Sequence, residues 1–168
     1  MPGEGMGKGK KKWPRLPKLI IHRTLYHDCD TLIRKSFSGE SMAKNFIAYV
    51  GNEFTIEWYF DDREKSVALG YFKELSRERQ KKLVHLLYVL GDIGKIFNEE
   101  KFRHEGDQIY AIKSSPDRFF CFFFEGSKII ITNAYEKKTA KMPAKEKHKA
   151  LKAREDYIKR CKEGDYYD

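Results

Sequence analysis

The alternation of apolar and polar residues becomes regular after Gly51. From Phe54 to Phe60 every second residue is apolar, and the residues between them are Thr55, Glu57 and Tyr59. An apolar residue at every second position is the spacing of a strand that buries one face. The pattern therefore predicts a first, half-buried strand over residues 54–60.

Two helices are predicted between this strand and Gly94. Asp61 precedes Glu64 by three residues, as in a capping box, and apolar residues then recur at helical spacing. Ser76 is suited to cap a second helix, because its hydroxyl can accept a backbone N–H that has no partner inside the helix. We expect that second helix to end near Gly91 and Gly94.

Three further strands are predicted in the last third of the chain, at residues 108–114, 119–125 and 128–133. Residues that favour turns join them, so an antiparallel meander is the simplest arrangement. The aromatic run from Phe119 to Phe124 is apolar on both faces, which is typical of a central strand covered on both sides.

A final helix is expected to open at Pro143 and to continue to about Cys161. The sequence thus predicts an α+β fold: an antiparallel-dominated sheet of about four strands, with two N-terminal helices and a C-terminal helix.

The chain divides into three parts of unequal character. Residues 1–18 are rich in glycine, proline and lysine and predict a flexible basic arm. Residues 19–52 form an N-terminal extension of unclear structure, in which Phe46, Ile47 and Val50 recur at helical spacing. Residues 53–163 hold the regular pattern and form the predicted folded domain.

Charge and cysteine content narrow the class of protein. The formal net charge is +9, which favours a polyanionic partner, although solubility alone is an alternative explanation. The three cysteines are widely spaced and lack a CxxC pair, so neither a disulfide framework nor a zinc ribbon is supported. No apolar run reaches the length of a membrane helix or of a signal peptide, so we expect a cytoplasmic protein.

A basic run, Tyr-Glu-Lys-Lys-Thr-Ala-Lys-Met-Pro at residues 135–143, lies where the sheet is expected to end and the last helix to begin. Its lysines are suited to bind a phosphodiester. The alternative is that Lys137, Lys138 and Lys141 form a solvated flank of the helix. Cations at a helix N-terminus oppose its macrodipole, however, and cost a few tenths of a kcal/mol, which favours a functional reason for their placement.

These residues resemble the RelE/HigB superfamily of toxins from bacterial toxin-antitoxin systems, and within it the phage-derived HigB-like branch. The resemblance spans residues 53–160, about two thirds of the chain. Its motifs are Ile109–Lys113, Asp117-Arg118-Phe119-Phe120 with the Gly126 turn, and above all the run at 135–143. Further matches on the last helix are Ala150, Arg154 and Tyr157.

The resemblance implies a small RelE-like fold and an activity. Such proteins are ribosome-dependent endoribonucleases that cut mRNA in the decoding site, contact ribosomal RNA and are silenced by an antitoxin, for which a helix-turn-helix protein is one expectation. Their chemistry needs no cofactor and no metal: the ribose 2′-hydroxyl attacks its own phosphate, basic side chains stabilise the added charge, and an acid protonates the leaving 5′-oxygen.

By the same resemblance we expect Lys113, Arg118, Lys137 and Lys138 to be catalytic. Arg118 is the best candidate to hold the phosphate, since its planar guanidinium can bind two oxygens at once. Lys113 is a candidate base if surrounding positive charge lowers its pKa, and Lys137 or Lys138 would stabilise the transition state or act as acid.

Three residues are predicted to bind substrate. Tyr135 is the aromatic residue of the basic run and a candidate to stack on a base, and Lys141 is a further cation of the run. His104 lies in the predicted loop before the second strand and would reach the cleft, unless it is simply a solvated loop residue.

Two other functions stay open from sequence. The chain would be a non-catalytic RNA-binding or ribosome-binding module with a RelE-like fold if only the charge, and no acid or base, accompanies Arg118. It would be an interaction subunit if the aromatic sheet is an interface.

Overall fold

The computed structural model describes residues 46–168, which form one mixed sheet with helices on both faces. The predicted arm at 1–18 and most of the extension at 19–52 lie outside the described residues. The strands are β1 (Ile47–Val50), β2 (Thr55–Trp58), β3 (Phe102–His104), β4 (Tyr110–Ser114), β5 (Asp117–Phe124) and β6 (Lys128–Glu136). The helices are α1 (Val67–Glu74), α2 (Arg77–Tyr88), continued by a π-helical turn (Val89–Ile93), and α3 (Ala144–Glu163).

The sheet confirms the predicted α+β class but has six strands, not about four. Its order is β1-β2-β6-β5-β4-β3, and β2 and β6 run parallel while the other neighbours are antiparallel. The two strands that sequence missed, β1 and β3, are edge strands of four and three residues. Runs of that length are too short to show a periodicity of their own.

The expectation of helical structure around Phe46 and Val50 is wrong for the described residues. Ile47–Val50 pairs antiparallel with β2, and Tyr49 is buried, with 3% of its surface exposed. The hydroxyl of Tyr49 donates to Asp92 at 2.5 Å, which ties the edge strand to the turn after α2. Tertiary pairing thus overrides a local spacing that equally suits a helix.

The capping box predicted at Asp61 is also wrong. Asp61 Oδ1 instead accepts from the backbone N–H groups of Arg63 and Lys65 and stabilises a tight turn. Helix α1 begins after Ser66, whose hydroxyl accepts from Leu69 N. The cap of α2 by Ser76 is confirmed, and Gly94 ends the π-helical turn in a left-handed conformation, as its position suggested.

Strand β5 is the central strand that the aromatic run predicted. Phe119 and Cys121 face the core beneath α1 and α2, whereas Phe120 and Phe122 face the core beneath α3. All four are buried. Every second residue of β5 therefore lies on the α3 face, which fixes Arg118 on that face.

Strand β6 changes phase at Thr132. Phe120 and Cys121 are consecutive on β5, but their partners on β6 are Asn133 and Ile131, so Thr132 is an extra residue in a β-bulge. Before the bulge Ile131 faces α1 and α2; after it Asn133 hydrogen-bonds to α3 and Tyr135 packs with the α3 core. The strand also runs three residues further than predicted, so that Tyr135 lies within it.

Helix α3 packs on the second face through Ala150, Ala153 and Tyr157. Pro143 is its extended N-cap and not the first helical residue, and the helix continues to Glu163. Within residues 46–168, none of the helices combines the length and the apolar character needed to cross a membrane.

Candidate functional site

Three of the predicted site residues lie side by side on neighbouring strands. Lys113 of β4 is the direct cross-strand partner of Arg118 of β5, and Arg118 is the direct partner of Tyr135 of β6. All three lie on the α3 face, in line with Ala111, Phe120 and the core that α3 covers. Directly opposed residues have Cβ atoms about 4.5–5.5 Å apart, so the three side chains form one continuous row.

Arg118 is half-buried, and one nitrogen of its guanidinium is fixed by a hydrogen bond. Its Nη1 donates to the carbonyl oxygen of Asp117 at 2.9 Å. Among the described residues the guanidinium makes no other hydrogen bond or ion pair, so its remaining donors have no partner in this part of the chain. A planar group with several unengaged donors is suited to bind a phosphate through two oxygens.

Lys113 is more enclosed, with 13% of its side chain exposed. Its Nζ donates to the carbonyl of Glu99 at 2.9 Å and lies 4.0 Å from Glu105 Oε1. Burial lowers the pKa of Lys113 most, and the positive charges of Arg103, Arg118 and Lys137 lower it further, whereas Glu105 raises it. The net direction is downward, as a basic group that releases its proton near neutrality requires.

Tyr135 lies at the end of the row opposite Lys113. Its ring lies 5.6 Å from that of Phe120 and is tilted against it, which fixes its orientation. Burial raises the pKa of Tyr135, Arg118 lowers it, and Glu105 and Glu146 raise it. The hydroxyl therefore stays protonated, and the side chain lies within electrostatic reach of Arg118, Glu105 and Glu146.

The basic run after β6 begins next to this row. Lys137 N donates to the carbonyl of Pro116 at 3.0 Å, which holds the start of the run against the β4–β5 turn, and the charge of Lys137 reaches Lys113. Lys138 and Lys141 are exposed further along the loop, where Thr139 Oγ1 donates to the carbonyl of Lys141 at 3.0 Å. The structure thus brings Lys137 to the row, whereas Lys138 and Lys141 lie in the exposed loop that follows.

His104 is not part of this cluster. It belongs to β3, not to a loop, and pairs with Tyr110, whose ring is 4.8 Å from the imidazole. Tyr110 packs against Phe123 and the core beneath α1 and α2. The register therefore puts His104 on the sheet face opposite Arg118, and the reason that sequence failed here is the unrecognised three-residue strand.

Two carboxylates that the sequence did not reveal flank the row. Glu105 reaches Lys113 from the β3–β4 loop, where Gly106, Asp107 and Gln108 all have positive φ values of 89°, 53° and 61°. Lys147 of α3 holds this strained loop through Asp107 Oδ2 at 2.7 Å. The Gly-Asp pair at residues 106–107 predicts a turn. The sequence does not show, however, that the neighbouring Glu105 lies against Lys113.

The second carboxylate, Glu146, lies in the first turn of α3. Asn133 Nδ2 donates to the carbonyl oxygen of Glu146 at 3.2 Å and to its Oε2 at 3.1 Å, and Lys149 Nζ donates to Oε1 at 2.7 Å. These bonds fasten the start of α3 to β6 beside Tyr135. Because they follow the bulge at Thr132, no regular alternation predicts them.

The cluster as a whole has more positive than negative charge. The charges of Arg103, Arg118, Lys137 and Glu105 act on Lys113, and those of Arg118, Glu105 and Glu146 act on Tyr135. Such an arrangement attracts an anion and keeps a carboxylate and an amine within reach of it. It provides what phosphate binding and proton transfer require, and Arg103, Lys113 and Arg118 extend from strands whose positions are fixed by the sheet.

A comparison with protein families finds one family model whose match includes this row. The family model described as Phage derived protein Gp49-like (DUF891) matches residues 70–155, just over half of the chain. The match begins in α1 and ends in α3, so it contains the whole row from Lys113 to Tyr135 and the basic run after it. No curated protein matches the chain.

Proposed function

Because the chain belongs to the Gp49-like family of phage-derived proteins, a RelE/HigB-like, toxin-type family, we propose that it is a ribosome-dependent mRNA endoribonuclease. The family is associated with the toxins of toxin-antitoxin systems. The proposal adds the activity, the substrate and the residues, and it includes a cognate antitoxin that silences the enzyme in the cytoplasm.

One observation carries the proposal: Lys113, Arg118 and Tyr135 are aligned in register across three strands. A phosphodiester on Arg118 would then have an amine on one side and an aromatic ring on the other. The pairing is fixed by backbone hydrogen bonds of the sheet, so the geometry does not depend on flexible loops.

In the proposed reaction Arg118 binds the non-bridging oxygens of the scissile phosphate. Neutral Lys113 accepts the proton of the ribose 2′-hydroxyl, whose oxygen attacks the phosphorus and forms a 2′,3′-cyclic phosphate. Lys137 stabilises the added negative charge and donates the proton that the leaving 5′-oxygen takes up. Tyr135 stacks on a neighbouring base, and Lys138 and Lys141 bind the flanking backbone.

Glu105 sets the protonation of Lys113 in this scheme. Its carboxylate is the charge that raises the pKa of Lys113 against burial and the neighbouring cations. Glu105→Gln should therefore move the alkaline rise of the cleavage rate to lower pH. A rise that stays at the same pH would exclude Lys113 as the base.

A second candidate function is a non-catalytic RNA-binding module. It is favoured by the contacts of Lys113 Nζ with the carbonyl of Glu99 and with Glu105, since both stabilise the protonated form. A permanently charged Lys113 would leave a row that binds phosphate without accepting a proton.

Expression in a bacterial host separates the two functions. Wild type, Arg118→Ala/Lys138→Ala and the charge control Lys159→Ala would be induced in parallel, and the 5′ ends of cellular mRNA mapped. Lys159 lies in α3, about 22 Å along the helix from its first residue, and is 72% exposed. Growth arrest with new cuts inside reading frames, lost only in the double variant, supports the nuclease; intact mRNA with wild type supports the binding module.

A further inference from the structure

Asp117 is a buried carboxylate directly behind the proposed catalytic arginine. It precedes Arg118 on β5, so its side chain lies on the opposite face, beneath α1 and α2. Its exposure is 0%. The two residues share one peptide unit, and anything that fixes the position of Asp117 also fixes the backbone from which Arg118 extends.

Two helices hold this carboxylate. Arg79 of α2 donates through Nε to Oδ2 at 2.9 Å and through Nη2 to Oδ1, a two-point contact. Tyr71 of α1 donates to Oδ1 at 2.6 Å. Burial and the bond to Asp117 both raise the pKa of Tyr71, so its hydroxyl remains a donor.

The same peptide unit holds the guanidinium on the other face. Arg118 Nη1 donates to the carbonyl oxygen of Asp117, and within residues 46–168 the guanidinium makes no other hydrogen bond. Displacement of Asp117 would therefore move the one acceptor that orients Arg118, together with the strand start that sets its register with Lys113 and Tyr135.

Stability alone is a weak reason for such an arrangement. A buried ion pair costs so much desolvation that well-packed apolar residues often serve as well or better. Cys121 and Phe119 show that apolar side chains fill this same face of β5 elsewhere. A charge at Asp117 does, however, specify a single position for the strand start, because both carboxylate oxygens must meet fixed donors.

We propose that Asp117, Arg79 and Tyr71 form a positioning clamp that holds the guanidinium of Arg118 at the scissile phosphate from the opposite face of the sheet. The inference rests on the proposed nuclease function and adds three positioning residues to it. None of the three touches the substrate.

The test is a rate comparison with a matched control. Asp117→Asn keeps the shape of the side chain and removes its charge. Ser114→Ala is the control, because Ser114 is the direct cross-strand partner of Asp117, is buried, and has no hydrogen-bond partner for its hydroxyl among the described residues. Asp117→Asn should lower kcat for cleavage of ribosome-bound mRNA by about 10- to 100-fold, the effect of a misplacement near 1 Å, with a smaller change in KM. Ser114→Ala should leave both unchanged.

A double variant distinguishes positioning from general destabilisation. In an Arg118→Ala background, Asp117→Asn should cause no further loss of rate, since the group it positions is gone. The same fractional loss in both backgrounds, or an unchanged kcat in Asp117→Asn itself, would overturn the clamp. If Asp117→Asn does not fold by circular dichroism, Tyr71→Phe, which removes one bond to the carboxylate, takes its place in the same comparison.

A spectroscopic measurement keeps the clamp testable if the proposed function fails. Should wild type not cleave mRNA, or should Arg118→Ala cleave normally, the nuclease or its site is wrong. The nitrogen-15 side-chain resonance of Arg118, assigned by its loss in Arg118→Ala, then reports on the clamp. A sharp resonance in wild type and Ser114→Ala that broadens in Asp117→Asn supports it, and an unchanged resonance in Asp117→Asn overturns it.

Discussion

Replacement of Asn133 by alanine should destabilise the fold by an amount that the structure allows us to work out. Asn133 is 3% exposed and connects β6 to the first turn of α3. Its Nδ2 donates to a backbone carbonyl at 3.2 Å and to the carboxylate of Glu146 at 3.1 Å. Its Oδ1 lies 2.9 Å from Thr132 Oγ1, which can also donate to the carbonyl of Phe120.

The loss is limited because each former partner keeps another contact. Glu146 still accepts from Lys149, and the hydroxyl of Thr132 still has the carbonyl of Phe120. The bond from Asn133 Nδ2 to the backbone carbonyl of Glu146 then contributes about 1 kcal/mol, and the bond to the carboxylate of Glu146 about 1.5 kcal/mol. We expect Asn133→Ala to lower the free energy of unfolding by about 2–3 kcal/mol.

Urea denaturation followed by circular dichroism measures this loss. With a slope of about 2 kcal/mol/M, the midpoint should fall by roughly 1–1.5 M. Thr139→Ala is the control, since it removes a single bond in an exposed loop and should change stability by less than about 0.5 kcal/mol. A loss as small for Asn133→Ala as for the control would refute the idea that this contact fastens α3 to the sheet.

Three further predictions concern other parts of the fold. The pKa of Lys113 is lowered in the folded chain, so the unfolded chain keeps this proton to higher pH. The free energy of unfolding should therefore rise with pH between the folded and unfolded pKa values of Lys113. Lys113→Met should abolish that rise in urea melts at a series of alkaline pH values. Tyr157→Phe removes the contact with the Tyr167 hydroxyl at 2.7 Å and should cost about 1 kcal/mol in the same assay. Burial raises the thiol pKa of Cys121 more than that of Cys161, so iodoacetamide should modify Cys161 before Cys121 in the native protein. Peptide mapping by mass spectrometry would show the order, and equal rates at the two residues would contradict the burial of Cys121.

Much of the fold follows from local pattern, because the longer elements carry their own periodicity. The aromatic run of β5 predicted a central strand, and Ser76 and Gly94 marked the two ends of the second helical segment correctly. Strand β3 could not be found this way. Its three residues are a strand only because they pair with β4, and His104 was misplaced as a result.

The site shows the same division between local and tertiary information. Sequence named Lys113, Arg118 and Tyr135 through a resemblance, but their alignment depends on how short the β4–β5 turn is and on the bulge at Thr132. Simple alternation would put Tyr135 on the same face as Ile131, away from Arg118. The bulge reverses the face, and nothing in the local spacing of β6 announces it.

Asp117 illustrates a further limit. It follows Ser115-Pro116 in the sequence, which predicts a turn. In the structure, however, Asp117 begins β5 and is fully buried. Its partners Tyr71 and Arg79 are more than 35 residues away and belong to two helices. Only the packing of α1 and α2 on the sheet brings the three groups together.

Cleavage of a defined mRNA by the purified chain tests whether the protein is a nuclease that depends on the ribosome. The same end-labelled mRNA would be offered free and bound in the decoding site of programmed ribosomes, with wild type, Arg118→Ala and Lys159→Ala. We predict cuts only in the ribosome-bound mRNA, with 2′,3′-cyclic phosphate ends, made by wild type and Lys159→Ala and lost in Arg118→Ala. Uncut mRNA with wild type, or equal cutting by Arg118→Ala, would contradict it.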